Sequence, residues 1–254
     1  MGSAWVNGRL VDAGARALLV TEPGFTVGDG VFTTTVVDAG VPFALDRNLA
    51  RLSRHAARIG LAELDLERLR AGVRAVLDAD IVREGRLRVS VTDTVQVITV
   101  MPLTTFHPVS TSVTVPWRRN ERGALAGVKS LSFGEALVAQ RWLRPLGADE
   151  GLLGNTAGDV CEGVTSNVFV VLDGLLRTPP LASGCLDGVT REILCEALDV
   201  DDTPIPLEAM AEVSEAFWTS ATRKVQPIGC HDGRDLQVGD VTRLAIETLA
   251  SWVG

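Results

Sequence analysis

Lys129, in the segment GALAGVKSLSFGEALVAQ, is one of only two lysines in the chain; the other is Lys224, and the remaining Lys/Arg positions are all arginine. A chain this biased toward arginine that still keeps a lysine points to a task guanidinium cannot perform. An amine loses its proton when desolvated and condenses with carbonyls, whereas guanidinium stays charged. Four other stretches carry groups such an amine would work beside. CEGVTSNVFVV, residues 161–171, sets the carboxylate of Glu162 before small polar residues and an apolar, strand-like run. In SGCLDGVTRE, residues 183–192, Gly188, Val189 and Thr190 precede a helix, where N–H groups and a hydroxyl make an anion site. WTSATRKVQPI, residues 218–228, brings Ser220, Ala221 and Thr222 to a turn, and NLARLSRHAARIG puts Arg51 on an early helix. Each has a plain alternative. Lys129 and Glu162 are then surface charges, Thr190 a helix cap and Arg51 a solvated helix residue.

The elements that must position these groups are legible from periodicity. AWVNGRLV and FTTTVVDAGVPFAL are β-rich, the second with an Asp-Ala-Gly turn that predicts a hairpin. Leu49, Leu52, Ala56 and Ile59 recur at helical spacing with Asp46 as N-cap, and a second helix spans Leu66 to Ala79. LRVSVTD and VQVITVMPL follow as strands. The polar stretch Thr104–Ser112 breaks both periods, which predicts an interdomain linker at 107–112 between a small α/β domain, 1–106, and a larger domain, 113–254, that carries the lysine. Beyond it come the strand SVTVPW, a helix from Phe133, strands at EGLLGN, DVCEG, NVFVVLDG and LLRTP, and helices at VTREILCEAL and VTRLAIETLASW. The fold class is α+β in two domains.

Bulk properties narrow the chemistry. With 254 residues and 46% hydrophobic content the chain can bury a core, and its formal charge of -8 argues against nucleic acid or an anionic membrane as partner. No apolar run approaches the roughly 20 residues that span a bilayer, and no secretory pattern opens the chain, so a cytoplasmic location is expected. Cys161, Cys185, Cys195 and Cys230 lie in no metal spacing, and His55, His107 and His231 are scattered, so no metal site or Ser-His-Asp triad is expected. No GxGxxG or GxxxxGK[ST] motif is present.

A Schiff-base lysine, a carboxylate and several phosphate ligands are together what pyridoxal phosphate chemistry requires. The ordered set K…E-G-x-T-S-N-V-F…G-V-T-R…Q-P-I, with GDGVF near the start, resembles the fold-type IV pyridoxal phosphate enzymes. That is the class-IV aminotransferase family, which includes branched-chain and D-amino acid aminotransferases and aminodeoxychorismate lyases. The resemblance covers nearly the whole chain. It implies that Lys129 carries the cofactor as a Schiff base and moves the substrate proton. It implies that Glu162 faces the pyridine nitrogen, and that Arg51, Val189, Thr190, Ala221 and Thr222 hold the phosphate. Relatives often carry threonine at the Ala221 position. It further implies a homodimer, with the cofactor in a cleft between domains, and reads Lys224 as surface charge.

The substrate is less directly written. Related transaminases carry tyrosine where GDGVFTTT has Phe32, and this chain has no tyrosine. GDGxFTT and RRNERGALAGVK look more like the aminodeoxychorismate lyases, so a lyase giving 4-aminobenzoate and pyruvate is expected. The alternative is an aminotransferase acting on branched-chain or D-amino acids with a 2-oxo acid acceptor. A catalytically silent paralogue is the reading from a different class. Phe32, Thr33, Thr34, Arg118 and Arg119 are the expected substrate-binding residues, since arginine's planar fork suits carboxylates. The alternative is that Phe32 only packs and the two arginines are solvated.

Overall fold

The computed structural model describes residues 2–252. Strands β1 (Ser3–Val6) and β2 (Arg9–Asp12) join through Asn7 and Gly8, both at positive φ (48° and 98°), the two-residue turn whose twist matches that of paired strands. A four-residue helix, α1 (Pro23–Thr26), precedes β3 (Val31–Asp38), and Ala39–Gly40 turns β3 onto β4 (Val41–Pro42) as the Asp-Ala-Gly signal predicts. Helices α2 (Leu45–Arg58) and α3 (Leu66–Ala79) follow, then β5 (Gly85–Val91) and β6 (Gln96–Met101). The strands form an antiparallel sheet in the order β2-β1-β6-β5-β3-β4.

One face of that sheet is built for the helices. Along β5, Leu87, Val89 and Val91 are buried and pack in one cluster with Leu49, Leu52 and Ala56 of α2 and Leu69, Val73 and Val76 of α3. The intervening residues Arg86, Arg88 and Ser90 take the opposite face, as the two-residue period of a strand requires. Asp46 does not cap α2. The N-cap is Ala44, in the left-handed region without a side-chain cap bond, and Asp46 accepts from Arg70 Nε at 2.8 Å.

Contacts divide the chain into two compact units. The first runs through Thr104 and takes in Val128–Phe133; the second comprises Thr105–Gly127 and the residues from Gly134 onward. The lysine segment therefore clusters with the first unit and not, as expected, with the second. Backbone pairing explains why. Phe32 N–H donates to Lys129 O (2.9 Å), Leu131 N–H to Gly30 O (2.8 Å), and Val31 bridges Ser130, so residues 129–131 lie antiparallel to the start of β3.

The second unit opens with β7 (Ser110–Arg119), which begins inside the stretch expected to be linker. Its serines and threonines resemble a loop in composition but are satisfied by neighbours: Ser110 Oγ donates to Pro227 O at 3.0 Å. Helix α4 (Gly134–Leu143) and strands β8 (Glu150–Asn155), β9 (Val160–Gly163), β10 (Asn167–Leu172) and β11 (Leu175–Arg177) follow. Helix α5 (Val189–Ala197), strands β12 (Glu215–Ser220), β13 (Lys224–His231) and β14 (Arg234–Asp235), and helix α6 (Asp240–Ser251) complete it. The sheet order is β11-β10-β12-β13-β7-β8-β9, with β14 paired to β13; β13, β7 and β8 run parallel and the other pairs are antiparallel. All residues of β8, β9 and β10 are buried, the mark of strands covered on both faces. No helix among the described residues is long and apolar enough to cross a membrane.

Candidate active site

In the first unit the GDG sequence explains how the lysine is placed. Gly28 has φ 71°, and a Cβ there would meet Ser132 Oγ at 2.7 Å and Ser132 Cα at 3.0 Å. A Cβ at Gly30 would strike Leu131 Cδ1 and Val91 O, each at 2.6 Å. Both glycines let the lysine segment approach β3, a close backbone contact that no larger residue permits. Lys129 is further fixed by its N–H, which donates to His55 Nδ1 at 3.1 Å. In that bond the ring nitrogen is the acceptor.

The Lys129 amine lies 4.7 Å from the centroid of the Phe32 ring, and Arg88 Cζ lies 3.7 Å from the same centroid. Phe133 meets that ring edge-on at 5.8 Å. Arg88 donates from Nε to Ser90 Oγ at 3.0 Å and has no carboxylate partner among the described residues. Burial, then the neighbouring charge of Arg86, pulls its guanidinium down to about 10, so it stays protonated at neutral pH. Thr34 pairs with Arg88 across β3 and β5. Thr33 faces the helices instead: its hydroxyl donates to Asn48 Oδ1 (2.9 Å) and accepts from Arg51 Nη2 (3.1 Å). Arg51 is buried and also donates to Asn48 Oδ1 at 3.2 Å. It precedes His55 by four residues, one helical turn on the same face of α2.

In the second unit Glu162 is nearly buried, and both of its oxygens are bonded. Oε1 accepts from Arg119 Nη2 at 3.2 Å, and Oε2 from the N–H of Leu186 at 3.0 Å. Asn167 holds the same loop from the other side, donating to Leu186 O at 2.8 Å. The two ends of E-G-V-T-S-N thus hold one residue, Leu186, by its N–H and its carbonyl just upstream of α5. A Cβ on Gly188 would collide with Asn167 Oδ1, so the GVTR sequence needs its glycine too. Gly188 caps α5 without a side-chain bond, and Thr190 Oγ1 is buried with no hydrogen-bond partner among the described residues. A helix start lacking a cap, beside an unsatisfied buried hydroxyl, fits a phosphate; buried hydroxyls are otherwise paired. Ala221 and Thr222 lie in the turn between β12 and β13, where Thr222 Oγ1 is 3.4 Å from Ser220 Oγ.

The two arginines expected to bind substrate part company. Arg119, besides Glu162, donates to Glu135 Oε2 at 3.0 Å, so its guanidinium is committed to carboxylates. Arg118 is exposed and donates to the carbonyls of Val115 and Trp117 on its own strand. Sequence reasoning gave no role to Arg88, His55 or Asn167, nor to Arg223 and Glu150, whose buried side chains form an ion pair at 3.1 Å. His55 left a signal one helical turn after Arg51, and Asn167 stood within the E-G-V-T-S-N motif without a role assigned to it. Lys224 is exposed at the start of β13.

Residues 30–229 match the family described as Amino-transferase class IV, and the chain belongs to that family. Membership carries the cofactor, pyridoxal phosphate, and the α+β fold of the fold-type IV enzymes. The chain is 27% identical to a D-alanine aminotransferase of Bacillus licheniformis, covering 92% of this chain and 89% of that one. Among solved structures it is similar to a branched-chain aminotransferase from Thermoproteus uzoniensis bound to norvaline (TM-score 0.89, 26% identity, 98% of this chain and 93% of that one). It is similar also to a 4-amino-4-deoxychorismate lyase from Pseudomonas aeruginosa (TM-score 0.86, 27% identity, 97% of each chain).

Proposed function

We propose that this pyridoxal phosphate enzyme is a lyase that converts 4-amino-4-deoxychorismate to 4-aminobenzoate and pyruvate. The observation that carries the reading is Phe32 beside the Lys129 amine. It offers an aromatic face where a hydroxyl is expected in transaminases, and Arg88 Cζ lies 3.7 Å from the centroid of the same ring. A planar cation without a carboxylate of its own, next to an apolar ring and an amine, suits a cyclic amine that bears carboxylates.

Held by these residues, pyridoxal phosphate would supply an electron-withdrawing ring conjugated to the carbon that bears the substrate amine. Lys129 removes the proton from that carbon through Nζ. Glu162 keeps a proton on the ring nitrogen, and Arg119 and the Leu186 N–H keep Glu162 aimed and charged. Arg51, the N–H groups of Val189 and Thr190, the Thr190 hydroxyl and the Ala221–Thr222 turn hold the phosphate. Arg88 receives a substrate carboxylate. Once the proton is gone, the ring C–O bond breaks with its electrons going to oxygen, the ring becomes aromatic, and the released enolate takes a proton at its methylene carbon to give pyruvate. We also propose a homodimer, supported by Leu18, Leu19, Val20, Phe25 and Val27, large apolar residues exposed within one short stretch.

The second reading, an aminotransferase, is favoured by names such as D-alanine aminotransferase among the relatives. Both readings use the same lysine and glutamate. Incubation with 4-amino-4-deoxychorismate alone separates them: 4-aminobenzoate and pyruvate are expected without any 2-oxo acid. Turnover of D-alanine or a branched-chain amino acid that requires 2-oxoglutarate, with no 4-aminobenzoate formed, overturns the lyase reading.

A further inference from the structure

Arg223 follows Thr222, and its guanidinium is buried inside the second unit. Its side chain is 7% exposed and that of its partner Glu150 2%, with Nη2 at 3.1 Å from Glu150 Oε2. Nη2 also donates to Asp149 O at 3.2 Å and Nη1 to Gln226 Oε1, and the Phe106 ring lies 4.3 Å away. At the backbone, Arg223 N–H donates to Ser220 Oγ at 3.0 Å, closing the turn that contains Ala221 and Thr222.

Glu150 makes this more than an ion pair. Its Oε2 also accepts from Thr165 Oγ1 (2.6 Å) and Ser166 Oγ (3.1 Å), both in the loop that follows Glu162. That loop is tightened further by Gly163 N–H on Ser166 O (2.7 Å) and Val164 N–H on Gly151 O (2.9 Å). One carboxylate therefore ties together the segment that presents Glu162 and, through Arg223, the turn that presents Ala221 and Thr222.

We propose that Arg223 and Glu150 are positioning residues that hold the phosphate turn at a fixed place relative to Glu162. The proposal rests on the assignment of Ala221–Thr222 and Glu162 to the cofactor. The physical reason is that a turn with an alanine at its first position has little side-chain grip on an anion. Its hold depends on backbone N–H groups whose direction must be fixed from behind, and a multiply bonded guanidinium fixes direction better than a single contact. A buried pair is weak evidence for stability, because desolvation offsets the attraction, so a role in geometry is the more economical account.

The test separates geometry from stability. Removing Arg223 alone leaves Glu150 charged and unpaired, so Arg223→Met is expected to lower Tm. The double variant Glu150→Gln, Arg223→Met removes both charges and is expected to regain Tm. It should nevertheless bind pyridoxal phosphate about tenfold or more weakly, the scale of one charge-assisted hydrogen bond. The ³¹P resonance of the bound phosphate should shift toward that of the free cofactor. A parent-like dissociation constant and ³¹P shift in the folded double variant overturn the proposal. If that variant does not fold, Arg223→Lys carries the test, since an ammonium reaches Glu150 without also forking to Asp149 O and Gln226. A several-fold weaker constant is then expected, and a parent-like one overturns the proposal. The parent guards the underlying assignment: a visible absorption band lost in Lys129→Ala supports it. Absence of that band in the parent sinks the cofactor reading itself, independently of Arg223.

Discussion

The first unit holds its key residue by the main chain, and the second holds its own by the side chain. Lys129 is fixed through its N–H on His55 and its carbonyl on Phe32, with two glycines making room for the segment. Glu162 is fixed through both carboxylate oxygens. The difference follows from what each must do. In the proposed reading Lys129 carries a proton, and the backbone bonds fix where its side chain starts. Glu162, which in that reading meets the ring nitrogen, has its orientation set by Arg119 and the Leu186 N–H.

The largest break in this comparison comes from the lysine itself. Lys129→Ala is expected to abolish the visible band and to lower turnover by on the order of 10² to 10⁴-fold, because the proton carrier is gone. Its Tm without cofactor should stay near that of the parent, since the anchoring is done by backbone atoms. Full activity in this variant removes Lys129 from the chemistry.

Glu162→Gln tests the other side. The amide still accepts from one donor but carries no charge, so cofactor remains bound while kcat falls. One charge-assisted bond is worth about 1.5–3 kcal/mol, or roughly tenfold to somewhat over a hundredfold. A kcat equal to the parent's would exclude Glu162. A smaller effect is expected from His55→Leu, which strips the lysine's backbone N–H of its acceptor. An unsatisfied buried donor costs about 1–3 kcal/mol, so Tm should drop, and kcat should drop with it if the backbone anchor aims the amine. His55→Asn, which restores an acceptor, is the control, and equal loss in both variants would sink the anchoring account.

Much of the scaffold was legible because its periodicities were clean. The helix expected over Leu66–Ala79 forms with those bounds and with Asp65 as a bonded N-cap. Strand β7 hid its start because Ser110 and Thr111 read as loop and are satisfied only by chain far away in sequence. The same limit governs the site. Lys129 and Glu162 stand out by residue type and motif, but nothing local tells that Arg119 turns to Glu162 while Arg118 turns away. Adjacent strand residues face opposite ways, and which face is which depends on the sheet. Arg88 was missed for the same reason, since its ring partner lies on another strand.

The smallest expected effect is a pH dependence that belongs to the second unit alone, because every cysteine of the chain lies there. Cys161 adjoins Glu162, and Cys185 precedes Leu186, whose N–H binds Glu162. Burial, then the Glu162 charge, pushes the Cys185 thiol from an ordinary 9 up to about 11, and the same two causes push Cys161 up further. Below pH 9 both thiols are protonated folded or unfolded, so they make no difference. Between 9 and 11 the unfolded chain loses protons that the folded chain keeps, and stability falls as pH rises, by at most about 1.4 kcal/mol per pH unit for each thiol. Denaturant unfolding at pH 8, 9 and 10 reads that slope. Cys185→Ala should flatten it in part, and Glu162→Gln should flatten it slightly by removing the second cause while leaving burial. A slope unchanged in Cys185→Ala would show that burial and the neighbouring carboxylate do not raise this thiol.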